Sequence, residues 1–181
     1  MGGPSINRAE SSGDIWTPWE FIRAVEANWG RLRVDLAASA ESAKAPEYFD
    51  EGANSLTRNW ERLSGYLWLN PPYSNITPWA KKCAHTYREN EQTEIFLLVP
   101  ASIGANWFWD HVWDYATVYS VGRMTFDNCF DRKTGERVST VYPKDLILCH
   151  YTNTTPSRVL QRWQWKTAAN RNTAHEAGAG G

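Results

Sequence analysis

Asn70-Pro71-Pro72-Tyr73 is the run whose residue types could do chemistry most directly. It follows the apolar stretch Tyr66-Leu67-Trp68-Leu69, so it stands where a strand would end. Asn and Pro are ordinary turn residues, and a rigid turn closing a strand is one reading. The other is chemical. The exocyclic amine of a nucleobase is a poor nucleophile because its lone pair is delocalised into the ring. Two acceptors that bind its two N–H groups help that lone pair localise while a methyl donor arrives in line. The Asn70 side-chain carbonyl is one such acceptor. The Pro71 backbone C=O is the other, held out by two consecutive rings that fix φ. Pro71 and Pro72 also remove N–H donors that would compete, and Tyr73 offers a flat face on which an extruded base can stack. No strong general base is required, because the amine sheds its own proton after methyl transfer.

The chain around this run alternates helical and strand patterns. Thr17-Pro18 precedes an amphipathic stretch from Trp19 to Trp29, with Thr17 a plausible N-cap, Pro18 the first helical residue and Gly30 the stop. Leu32 to Ala38 and Gly65 to Leu69 read as buried strands. Pro78 to Arg88 reads as a helix capped by Thr77, Glu94 to Val99 as a third strand and Asn106 to Tyr115 as an aromatic-rich helix. Ala116 to Val121 and Asp145 to Tyr151 are two more strands, and Ser157 to Lys166 reads as a closing helix. Strands separated by helices of this length argue for an α/β fold with a mostly parallel sheet. Ligands bind such sheets beyond the C-terminal ends of the strands. Asp35-Leu36-Ala37-Ala38, Asn70-Pro71-Pro72-Tyr73 and Pro100-Ala101-Ser102 all fall at such ends.

With 181 residues, the chain fits one compact domain, expected over residues 14–169 between a flexible N-terminus (1–13) and a disordered tail (170–181). No apolar run approaches the ~20 residues of a membrane helix, and the N-terminus has no apolar signal core, so a cytoplasmic location and no membrane partner are expected. The three cysteines, Cys83, Cys129 and Cys149, are widely spaced and read as buried thiols; no metal site is expected. A net charge of −1 gives no global pull toward nucleic acid. Between Thr154 and His175, however, the charged residues are Arg158, Arg162, Lys166 and Arg171, all basic. The first three recur every fourth residue and would share one helical face, open either to solvent or to a phosphate backbone. The 11 tryptophans read mainly as core.

The run at Asn70 resembles motif IV of amino-methyltransferases, Asp/Asn/Ser-Pro-Pro-aromatic. A longer ordered series is similar to the phage-type DNA N-6-adenine methyltransferase family. It comprises Thr17-Pro18, Asp35-Leu36-Ala37-Ala38, Ala43-Lys44, Tyr48-Phe49, Asn54-Ser55-Leu56, Trp60 and Asn70-Pro71-Pro72-Tyr73. Trp107-Phe108 and Gly122-Arg123-Met124-Thr125-Phe126 resemble later landmarks, so the likeness spans roughly Trp16 to Tyr151. Two departures stand out. Ala37-Ala38-Ser39 replaces the glycine-rich cofactor loop common in methyltransferases, and Tyr142-Pro143-Lys144-Asp145 replaces a Pro-Phe-Pro-Ser-like stretch.

The resemblance implies a three-layer Rossmann-like fold, S-adenosyl-L-methionine as cofactor, DNA as partner and the N6 amine of a flipped adenine as acceptor. It implies catalytic roles for Asn70, Pro71, Pro72 and Tyr73. Asp35 would meet the cofactor's ammonium, with Ala37 allowing close backbone approach. Thr17 and Pro18 would receive its carboxylate, and Asn54 and Leu56 would read its adenine. Asp35 as a simple helix cap, Thr17 as a simple N-cap and residues 54–56 as an ordinary loop are the plainer alternatives. Methylation of cytosine N4 or of RNA adenine, and a non-catalytic nucleic-acid-binding module, are the competing functions. A glutamine methyltransferase would share Asn-Pro-Pro-Tyr but usually has the glycine-rich loop that is missing here.

Overall fold

The structure, a computed structural model, describes residues 15–50, 52–130 and 134–167. The expected N-terminal segment 1–13 and tail 170–181 lie outside the described residues. Nine strands are described: β1 (Leu32–Asp35), β2 (Glu47–Tyr48), β3 (Gly65–Leu69), β4 (Thr93–Pro100), β5 (Thr117–Gly122), β6 (Thr125–Phe130), β7 (Arg137–Val141), β8 (Leu146–Tyr151) and β9 (Leu160–Arg162). The helices are α1 (Trp19–Asn28), α2 (Thr77–Glu89) and the short α3 (Asn106–Phe108), which runs on into a π-helical turn, Trp109–Trp113.

Seven strands form one sheet in the order β2-β1-β3-β4-β8-β5-β9, while β6 and β7 form a separate hairpin. Strands β2, β1, β3 and β4 are mutually parallel, β5 and β9 pair in parallel, and β8 runs antiparallel to both β4 and β5. This is the mostly parallel α/β architecture expected. β4 and β8 are central, and both faces of each are covered, which is why Ile95-Phe96-Leu97-Leu98-Val99 and Leu146-Ile147-Leu148-Cys149 read as unbroken apolar runs. Phe96, Leu98 and Leu148 face α1 through Phe21, Ile22 and Val25. Ile95, Leu97, Val99 and Ile147 face α2 and the helical turn through Ala80, Cys83, Phe108 and Val112. The result is three layers. All three cysteines are buried in these cores. Gly30, at φ 138, turns α1 into β1, where any Cβ would run into the Tyr66 ring.

Four local expectations are corrected. α1 starts at Trp19 with Pro18 extended at the cap position (φ −65, ψ 140), and the Thr17 hydroxyl makes no capping bond. The aromatic stretch from Asn106 is one α-turn followed by a π-turn rather than a single α-helix. Thr125–Phe130 and Arg137–Val141, where the sequence pattern predicts no element, form the β6–β7 hairpin. The expected closing helix is instead edge strand β9, with Val118 opposite Leu160 and Ser120 opposite Arg162. Pairing with the free edge of β5 outweighs the helical spacing of the basic residues, which therefore share no helical face. Arg158 sits at φ 47 and pairs with Asp114 at 2.9 Å. Trp165 tucks against Phe21, their centroids 5.0 Å apart, and donates its indole N–H to the Val121 carbonyl at 3.2 Å.

Candidate active site

Because β1, β3, β4, β5 and β9 point the same way and β8 the opposite, Asp35, Asn70, Pro100, Gly122, Arg162 and the start of β8 gather on one rim of the sheet. The chain passes from β1 outward to β2, then returns across β1 to β3, so the strand order reverses between β1 and β3. A crevice at such a reversal is where open α/β sheets bind ligands. Asp35 and Asn70 flank it, and the strands are held together there by the Leu36 N–H donating to the Trp68 carbonyl at 2.8 Å.

A narrow cavity, about 10 Å³, lies in this crevice. Thr17, Asp35, Ala37 and Asn70 line it together with Trp16, Ser42, Lys44 and Trp68. Four residues expected to act together thus meet, although they come from three parts of the chain. Thr17 is 2% exposed and Asn70 4% exposed. Both end in a buried oxygen, Thr17 Oγ1 and Asn70 Oδ1, that has no hydrogen-bond partner. Buried polar atoms are nearly always paired, so two orphans facing one crevice are a strong sign of an external partner.

Asp35 is 2% exposed. Its carboxylate accepts the Ala37 N–H at 3.2 Å and the Lys44 N–H at 3.0 Å. It therefore caps no helix; it staples the loop from residue 36 to 44 back onto the end of β1. Burial pushes its carboxyl up to about 6, against the pull of those two N–H groups and of the Lys44 ammonium. The Lys44 ammonium is held down from its usual range by burial, partly offset by Asp35 and Asp127.

Tyr73 lies beside this cavity in a larger cleft of about 510 Å³, lined by residues 74–77, Pro100, Ser102, Ala105, Trp107, Tyr142 and Lys144. The Tyr142 ring packs edge-on against Tyr73 with centroids 5.5 Å apart. The Tyr73 hydroxyl is buried and unpaired, and burial pushes its pKa well up. Pro71 is buried and Pro72 half-buried between the two cavities. Asn54 and Leu56 are not brought into the crevice: they sit on the turn after β2, where Asn54 is exposed at φ 45 and the Leu56 carbonyl accepts the Lys82 ammonium at 2.7 Å. Trp16 and Ser42 carried no sequence signal, Lys44 only that of a landmark in the series and Tyr142 only that of a departure from it.

A sequence model of the DNA N-6-adenine-methyltransferase (Dam) family matches residues 6–179. The chain belongs to that family. A DNA N-6-adenine-methyltransferase of Escherichia phage T1 is 33% identical over 103 residues, 56% of this chain and 42% of its own. One of Haemophilus phage HP1 is 29% identical over 94 residues, 51% of this chain and 53% of its own. The chain spans about half the length of the curated relatives it matches. Among the described residues no helix is long and apolar enough to cross a membrane.

Proposed function

We propose that the protein transfers a methyl group from S-adenosyl-L-methionine to the exocyclic N6 amine of adenine in DNA. The observation that carries this reading is the pair of unpaired buried oxygens, on Thr17 and Asn70, that line one crevice at the rim of a Dam-family chain. The residues present fit the cofactor. Asp35 meets the ammonium of its amino-acid end, and Thr17 with the start of α1 meets the carboxylate. Bound there, the cofactor supplies an electrophilic methyl group on a sulfonium. Asn70 Oδ1 and the Pro71 carbonyl accept the two amine hydrogens of the base, and Tyr73 stacks on its ring. With its hydrogens held by Asn70 Oδ1 and the Pro71 carbonyl, the amine would present its lone pair to that methyl group and then release one proton to water. A base inside a duplex cannot reach Asn70, so the target is flipped or single-stranded. Incubation with labelled S-adenosyl-L-methionine and DNA, followed by nucleoside analysis, should yield N6-methyladenine. Label in methylcytosine, in RNA alone or in protein alone would overturn the assignment.

The cofactor site gives a pH-dependent expectation. With the Asp35 carboxyl at about 6, the group is largely neutral at pH 5 and ionised at pH 7.5. A cationic ligand favours the ionised form and drives the proton off. S-adenosyl-L-methionine affinity should therefore fall by up to about tenfold for each pH unit below 6, with proton release seen by calorimetry in buffers of different ionisation enthalpy. Asp35→Asn should bind weakly and show no such slope; a wild-type affinity that stays flat from pH 5 to 7.5 would return Asp35 to a purely loop-stapling role. For the ligand-free protein the sign is opposite. The raised carboxyl favours the folded state when protonated, so that contribution is full below 3.8 and lost as pH rises through 6.

For the DNA strand, we propose a track along the same rim. Arg123, Arg162 and Lys166 line a cleft of about 620 Å³ with Trp163 and Trp165, beyond the ends of β5 and β9. A combined Arg162→Ala, Lys166→Ala variant should bind DNA more weakly, with a salt dependence shallower by about one unit of slope per residue, while cofactor affinity holds. An unchanged slope would place the strand elsewhere.

A further inference from the structure

Lys44 is the one charged residue of the crevice, among the described residues, that the proposed reading leaves without a task. It is a lysine only 5% exposed. Its ammonium lies 4.6 Å from the centroid of the Trp19 ring and 6.0 Å from that of Trp16, and it forms no hydrogen bond or ion pair with a described residue. Each oxygen of the nearby Asp35 carboxylate accepts one backbone N–H and keeps a lone pair for a further donor. Asp35 and Asp127 attract the ammonium without bonding it. Two indole faces offset part of the cost of burying a cation, but an ammonium shielded from water is normally paired with an anion. Beside it, in the same cavity, Thr17 Oγ1 is buried and unpaired. A carboxylate, a lysine and an unpaired hydroxyl thus line one cavity.

We infer that Lys44 joins Thr17 on the carboxylate of an α-amino-acid zwitterion whose ammonium Asp35 holds, so that the crevice clamps both charges. This rests on the cofactor reading above and deepens it: S-adenosyl-L-methionine would be recognised chiefly by the two charges of its methionine end. The cavity is too narrow to receive that end without movement, and Lys44, fixed only by ring contacts at its tip, is the part of the wall that swings to meet the anion. The crevice then discriminates against ligands lacking the carboxylate.

Four probes separate the possibilities: S-adenosyl-L-methionine, S-adenosyl-L-homocysteine, decarboxylated S-adenosyl-methionine and 5′-methylthioadenosine, each titrated into the full chain by calorimetry. The wild type should bind the first two at least tenfold more tightly than the last two. Lys44→Met keeps the apolar stem between the indoles and removes the charge. It should weaken the two carboxylate-bearing ligands at least tenfold and move the other two less than twofold, closing the gap. Equal weakening of all four, or none for S-adenosyl-L-methionine, would overturn the clamp in favour of a packing role. Should the variant not fold, the wild-type series decides alone, and a gap below twofold between S-adenosyl-L-methionine and its decarboxylated form overturns the inference. Failure of the wild type to bind any of the four overturns the cofactor reading itself, whereas tight binding without discrimination overturns only the clamp.

Discussion

Replacing Asn70 by alanine is expected to lower the rate of methyl transfer by about 10²–10³ or more while cofactor affinity stays within about twofold of the wild type. The size follows from the cost of removing one preorganised hydrogen-bonding group that is used only as charge redistributes in the transition state. The selectivity follows from the structure. Asn70 Oδ1 makes no hydrogen bond within the protein, so its loss breaks no internal network. The fold should tolerate the change, since α2 and the β3–β4 pairing anchor the turn on both sides. Single-turnover methylation with saturating labelled cofactor, run beside calorimetric titration and a thermal melt, separates the three quantities. Near-normal turnover by the variant would remove Asn70 from the chemistry. A collapse of cofactor affinity would make it a cofactor ligand instead.

The second large effect is expected at Tyr73. Stacking of an aromatic side chain on a base contributes about 1–3 kcal/mol, and here it helps offset the few kcal/mol needed to unpair and unstack the target. Tyr73→Ala should therefore reduce kcat/KM for duplex DNA by about tenfold to a hundredfold. The loss should be smaller for a single-stranded or mismatched target, where less unstacking has to be offset. Tyr73→Phe should be nearly silent, because the hydroxyl is buried, unpaired and held neutral. Replacing an unpaired buried hydroxyl by hydrogen removes a desolvation cost and should hold or raise the melting temperature. A large loss in the phenylalanine variant would mean that the hydroxyl itself binds substrate and that stacking is not the main role.

What could be read from the sequence divides along physical lines. Gly65–Leu69 and the turn after it were legible because a central parallel strand is a dense apolar run and two prolines stop it sharply. The meeting of Asp35 and Asn70 followed from placing strand ends on one rim, but the place of Thr17 in the site and all the assigned roles came from resemblance, since an Asp or a Thr at such a place is equally consistent with a cap. The β6–β7 hairpin was illegible because a register shift between Phe126 and Cys129, with Asn128 at φ 57, breaks the alternation that marks a strand. β9 was misread because three residues on a sheet edge, all exposed, leave little pattern, and the basic residues around them happen to follow helical spacing. Lys44 was hidden for a different reason. Ser42-Ala43-Lys44-Ala45 has the composition of a solvated loop, and only the staple from Asp35 to the Lys44 N–H buries it.

The direction of β8 has a consequence for how such a protein can diversify. A chain leaving β5 at the rim would have to cross the whole sheet before entering another parallel strand. Since β8 runs backward, the connection leaves and re-enters the sheet on the same side, and the β6–β7 hairpin is that connection. Phe126 and Cys129 tie the hairpin's strands into the core, but the hairpin is no part of the seven-stranded sheet. Residues can therefore be gained or lost beyond Phe130 and Arg137 without altering the register of any strand in that sheet. On the proposed reading, the surface around the site can diversify there while Asn70 and Tyr73 stay fixed.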